Sequence, residues 1–316
     1  MKDKIIEIAK AECADIVGFA PASRFDADDA IFKIMPNVKT VIGFGFRLLR
    51  GMFRGIEEGT TYYQYTTMAV ENMEETIMPM AQLKVSTYIE SCGFTAAPQR
   101  RHQQIMSEPD STNPEVAYDA VYRDKKAENQ MDFLNAAIQC GLGEKGFHGA
   151  LLTDEYGPLV RYCFVLTDAE IEPSDIVKPH LCDNCKKCMQ ACPGSAIDEN
   201  GDVDPWQCAV YYNGANGTKN PFMPYDAFPD FKDRMDIISG MAKVDRHTAE
   251  KILDSIYFYP PAQHAYQCSI CGRACDMECY VHLEQKGVLT KKYNTPFRKR
   301  EKWQYCIEDF KNPEKH

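Results

Sequence analysis

The stretch CDNCKKCMQACPGSAI, residues 182–197, sets cysteines at 182, 185, 188 and 192, with Pro193 directly after the last. Thiols spaced C-x2-C-x2-C sit on one short loop and can wrap three corners of a single iron–sulfur cube. The fourth thiol follows three residues later, where a proline turns the chain away and leaves it free to reach a second centre. Structural zinc would instead favour two separated C-x2-C pairs closing a tetrahedron. The unbroken spacing therefore points to iron and sulfide.

One such run requires a second group, and the chain supplies it. CSICGRACDMEC, residues 268–279, contributes Cys268, Cys271, Cys275 and Cys279, while Cys208 stands alone between the two groups. In two-cluster bacterial ferredoxins the cysteine before the proline ligates the other cluster. By that crossing rule Cys182, Cys185, Cys188 and Cys275 hold one 4Fe–4S cluster, and Cys192, Cys208, Cys268 and Cys271 hold the other. Cys279 is then spare, or replaces Cys208 or Cys275, being one helical turn beyond Cys275. Cys13, Cys92, Cys140, Cys163 and Cys306 are isolated and read as small buried or incidental residues.

The rest of the composition bounds the function. The chain has 316 residues, fourteen cysteines and a formal net charge of −10. Its start, MKDKI, opens an amphipathic pattern in place of a secretory core, so the expected compartment is the cytoplasm. Tightly grouped thiols in such a chain favour metal ligation over disulfides. No apolar stretch reaches membrane-spanning length. The acidic balance argues against a broad nucleic-acid surface. A basic run at Lys291, Lys292, Arg298, Lys299 and Arg300 reads as a solvated tail. A ferredoxin needs no large partner domain, so the long chain before Cys182 and the stretch 209–267 suggest a substrate or cofactor site fed by the clusters.

Secondary structure reads as mixed. Ile5, Ile8, Ala9 and Cys13 share one helical face. DIVGFAP (15–21) and TVIGFGF (40–46) read as strands. Residues 62–92 read as a long helix restarted near Pro79, with Ile77, Met80 and Tyr88 in the core and the aromatic YYQY (62–65) as core or pocket lining. Residues 98–114 read as loop and 124–140 as a helix capped by glycine at 141. ALLTDEYGPLVRYCFVLTD (150–168) reads as a hairpin turning at 155–158.

Three features together resemble the epoxyqueuosine reductases and the related reductive dehalogenases. CGLGEKG (140–146) looks like their AGLGW-x-GK stretch, YCFVLTDAEIEPS (162–174) like the strand leading into their cluster domain, and the order and spacing of the cysteine set match. The resemblance implies an α+β chain: a nitroreductase-like α/β domain over 1–172, a double 4Fe–4S ferredoxin-like domain over 173–290 with an insertion at 209–267, and a C-terminal tail at 291–316. It further implies a cobalamin, met by Gly141, Leu142, Gly143 and Gly146, whose cobalt chemistry the protein would position.

That family reading implies reductive cleavage or elimination on a small molecule, with electrons from a donor such as ferredoxin or flavodoxin. A tRNA substrate is disfavoured by the acidic charge and by the lack of the helical repeats that many epoxyqueuosine reductases carry. Their aspartate in a D-S/T-AP stretch has no counterpart here. Counting back from Gly141 reaches Ala127, with Asp124 and Glu128 nearby. Reductive dehalogenases use a tyrosine beside a cation, for which Tyr118, Tyr122 and Arg123 offer the residue types. Tyr122, Asp124 and His102 are the proton-donor candidates, each with a surface-loop alternative. His148 and His180 have a structural alternative. A cobalamin-free double-cluster electron carrier is the competing function, and a zinc-stabilised module a third.

Overall fold

In the computed structural model the described residues are 1–60, 65–100, 131–256 and 269–315. They divide into two compact units. The first comprises 1–48, 72–146 and 150–182. The second comprises 49–71, 147–149 and 183–316.

The first unit is built on an antiparallel sheet in the order β1-β2-β6-β3, formed by Ile16–Pro21, Thr40–Arg47, Val160–Thr167 and Ala96–Gln99. Alternation sorts its side chains. Ile42, Phe44, Cys163 and Val165 enter one core, with Ile5, Ala9, Val85 and Ile89 from the helices Lys2–Ala11 and Met78–Ser91. Val41, Phe164 and Leu166 enter the other, with Ile31, Ala136 and Ala137 from Ala30–Ile34 and Phe133–Gln139. Both faces are covered, which explains why these strands read as continuous apolar runs in sequence.

Several expectations need correction here. The helix containing Pro79 buries Met78, Ala81, Gln82, Val85, Ser86 and Ile89, and Met80 lies exposed on its far side. Gln82 is held inside by donating its amide to Gln99 O and Phe164 O, a polar pairing that periodicity does not reveal. Pro98 and Gln99, read as loop, belong to the strand Ala96–Gln99. The expected hairpin over 150–168 divides. Leu151–Leu152 (β5) pairs with Glu144–Lys145 (β4), whereas Val160–Thr167 joins the main sheet. Cys13 leaves the helical face at φ 70° and is exposed, and so are Cys92 and Cys306; Cys140 and Cys163 are buried.

The second unit is mostly helical, with Lys187–Gln190, Pro205–Tyr212, Arg246–Ser255 and Ala274–Lys286 among its elements. Its C-terminal basic run is not a solvated tail. Arg298 pairs with Glu57 and Glu278, Arg300 with Glu58, and Lys302 with Glu278. Trp303 donates its indole N–H to Ile56 O at 2.8 Å. Among the described residues no helix is long and apolar enough to cross a membrane.

Candidate metal centre

The approach to the cysteine run is organised by a charge the sequence would place outside. Glu144 is 1 % exposed, and its carboxylate accepts the backbone N–H groups of His180 (2.6 Å), Leu181 (3.0 Å) and Cys182 (2.8 Å). A buried carboxylate persists only with such partners. It reaches them because the chain reverses just before it. Asp132 caps the helix Phe133–Gln139 through Asn135 N, and Gly141 at φ +74° ends it.

A Cβ at Gly141 would sit 2.1 Å from Asp175 O, and one at Gly143 would sit 2.2 Å from Leu152 O. Gly146 packs on the Leu152 side chain, and Leu142 is buried. The room these glycines release is thus filled by the protein's own atoms.

In the second unit, Asn184 and Lys186 flank Cys185 in the left-handed region, at φ 56° and 57°. This tight winding, uncommon for non-glycine residues, closes the loop on itself. Cys185 is exposed and Cys188 buried on its short helix. The Cys192 sulfur accepts the Ala196 backbone N–H at 3.2 Å. Cys208 lies on the helix Pro205–Tyr212, whose N-terminus is capped by Asp204 accepting from Trp206 N and Gln207 N. Gly272 and Arg273, both left-handed, turn the chain between Cys271 and the helix that carries Cys275 and Cys279.

Residues distant in sequence meet here. Burial pushes the Cys271 thiol up to about 12, and the neighbouring Cys208 and Cys192 add to the shift. Burial raises Cys275 well above the ordinary thiol range, with Asp276, Cys271 and Cys208 adding to it and Arg273 opposing. Such thiols stay protonated until a metal displaces the proton, as ligation of a thiolate requires.

His148 emerges as part of this centre. Its side chain is 2 % exposed, and Nε2 lies 2.9 Å from Asp276 Oδ1. Arg273 donates Nε–H to the other carboxylate oxygen at 2.7 Å. Burial opposes charge on the imidazole, but Asp276 and the adjacent Cys188 outweigh it and raise the group to about 9. His180, by contrast, is half exposed. Asp276 escaped the sequence reading, although Arg273 three residues before it on a helical pitch was an available signal.

Of the expected ligands, Cys268 lies outside the described residues, as do Tyr118, Tyr122, Arg123, Asp124, Glu128 and His102. The remaining expected ligands are thiols on tight loops and helix starts, a donor set whose chemistry fits iron–sulfur ligation.

No family model matches the chain. Over 83 residues it is 41% identical to a tetrachloroethene reductive dehalogenase of Dehalobacter restrictus, covering 24% of this chain and 15% of that one. Over 80 residues it is 37% identical to an epoxyqueuosine reductase of Gloeobacter violaceus, covering 25% of each. Among solved structures, a catabolic reductive dehalogenase aligns with a TM-score of 0.50 and 15% identity, covering 80% of this chain and 33% of that one. The matched part spans a quarter or less of these curated relatives' length. By local sequence identity and by fold the chain is thus similar to the epoxyqueuosine reductases and reductive dehalogenases.

Proposed function

We propose that this protein is an iron–sulfur reductase. One 4Fe–4S cluster is held by Cys182, Cys185, Cys188 and Cys275, and the other by Cys192, Cys208, Cys268 and Cys271. The observation that carries the proposal is the meeting of Cys271 with Cys192 and Cys208, thiols from three separate parts of the sequence. That grouping is what the crossing rule requires of the second cluster. The ferredoxin-like part, 173–290, would form the body of the second unit, with 209–267 as its insertion, 291–316 as its tail and the nitroreductase-like part, 1–172, before it.

The substrate class is a small molecule undergoing reductive cleavage or elimination, supplied with electrons by a low-potential donor such as ferredoxin or flavodoxin. The net charge of −10 weighs against a tRNA-sized polyanion.

Cobalamin belongs to this proposal through the family resemblance alone. The residues first assigned to it, Gly141, Leu142, Gly143 and Gly146, are packed against Asp175, Leu151 and Leu152. They do not fit as an open cradle for a corrin.

The test is anaerobic purification, incubation with hydroxocobalamin, and iron, sulfide and cobalt analysis with EPR. About eight irons per chain are expected, and one retained cobalt would place cobalamin in the reaction at residues other than these glycines. About four irons would refute the two-cluster assignment, and zinc in place of iron would refute the reductase. Eight irons with no cobalt would make the protein an electron carrier without cobalamin.

A further inference from the structure

We infer that a partly open cavity of about 220 Å³ beside Cys271 binds a small organic carboxylate, its charge met by Lys219 and its flat apolar body lying by Phe53, Ile56 and Trp303. The inference names the substrate class of the reductase proposed above, and its redox role rests on that reading. Every residue lining the cavity belongs to the second unit.

The walls come from distant stretches of chain and are held in place. The Trp303 indole N–H donates to Ile56 O at 2.8 Å. Its ring lies on Gly59, where a Cβ would meet it at 2.5 Å. Gly59, at φ 70°, ends the helix Arg50–Glu58 and leaves the ring its place. The volume falls below the about 300–1,000 Å³ of drug-sized sites, so the occupant is about one ring in size and not a macrocycle.

Charge balance selects the occupant. Arg298 pairs with Glu57 and Glu278, Lys302 with Glu278, and Arg54 and Arg300 with Glu58. Lys219 lines the same cavity as Glu57 and Lys302 and is left over. Among the described residues it forms no ion pair, and its Nζ donates to the neutral Gln304 Oε1 at 3.2 Å. Burial, then the neighbouring Lys302, hold its pKa below the ordinary lysine value, against the pull of Glu57. An entering carboxylate would offset both effects and accept charge-assisted hydrogen bonds. One unpaired cation balances one negative charge, which favours a carboxylate over a phosphate dianion. Cys271, assigned above to the second cluster, lines this cavity too, so the occupant would stand beside a cluster ligand.

The experiment is calorimetric titration of the full chain, reconstituted anaerobically with iron and sulfide, using benzoate and its uncharged counterpart benzamide. Wild type should bind one benzoate per chain, and benzamide about tenfold more weakly, the worth of one charge-assisted hydrogen bond. Lys219→Met keeps the apolar stem and removes the charge. It should weaken benzoate about tenfold and leave benzamide unmoved, while Lys219→Arg should hold benzoate within about threefold of wild type. Benzoate should also change the EPR signal of at least one reduced cluster. No saturable binding of benzoate up to about 10 mM overturns the site. So does benzoate affinity that K219M leaves unchanged, or a loss of both ligands alike in both variants, the signature of a structural lysine. Binding that leaves every EPR signal unchanged removes the ligand as substrate. Wild type that takes up no iron and sulfide sinks the cluster assignment instead, and the metal analysis shows that separately from the Lys219 dependence of binding.

Discussion

Glu144 carries a charge with almost no solvent contact, and its carboxylate gathers three consecutive backbone N–H groups. In Glu144→Ala the backbone N–H groups of His180, Leu181 and Cys182 lose their acceptor together. Leu181 is fully buried, so its N–H stays unsatisfied at a cost of about 1–3 kcal/mol. The half-buried donors at His180 and Cys182 regain water and add about 0.5–1 kcal/mol each. The loop leading into the cysteine run should therefore open more easily by about 2–5 kcal/mol. Amide hydrogen exchange reads local opening directly and does not require the two units to unfold as one. The Leu181 and Cys182 amides should exchange about a hundredfold faster in E144A, since each 1.4 kcal/mol is a factor of ten. In Glu144→Gln one oxygen becomes an NH2 that faces an N–H donor, either His180 or Cys182, so exchange should rise there and less at Leu181. Exchange within threefold of the parent at 180–182 in both variants would refute the assignment of this carboxylate.

Arg161 and Glu74 form a nearly buried pair in the first unit, Nε to Oε1 at 2.9 Å. Arg161→Met should destabilise by about 3–5 kcal/mol in urea unfolding, and adding Glu74→Met should recover most of it, because the stranded carboxylate is the main penalty. Under the proposed ligand split, Cys192→Ala should lose about half the iron, and the surviving EPR signal should be that of the Cys188 cluster; Cys279→Ala should retain full iron. Burial would raise Glu278, but Arg298 and Lys302 hold it below the usual carboxylate range. A depressed folded pKa means its contribution is complete above the unfolded value of about 4.3 and is lost as pH falls through the folded value. Pepsin should therefore release residues 291–316 only as pH drops below about 4, and from Arg298→Met at higher pH.

What could be read in the sequence follows from which interactions are local. The strands Ile16–Pro21 and Thr40–Arg47 announce themselves because both sheet faces are covered, so every residue but the terminal Arg47 is apolar or small. The cysteine spacing is legible for a similar reason: a loop that wraps one centre carries its ligands in order. The short hairpin of Glu144–Lys145 with Leu151–Leu152 was missed because its first strand is two charged residues, with no alternation to detect. Its charge is inside because backbone N–H groups compensate it, and those have no signature in a sequence. The basic run near the C-terminus was misjudged since Glu57 and Glu58, two of its partners, lie more than two hundred positions away.

His148 shows the same principle at the centre itself. Its residue type suggests a proton donor, with a structural role as the alternative. Its task is decided by Asp276 and Cys188, one far downstream and one on the first cysteine loop. In CDMEC, residues 275–279, that aspartate stands directly after Cys275. Beside His148 it becomes the group that fixes the imidazole.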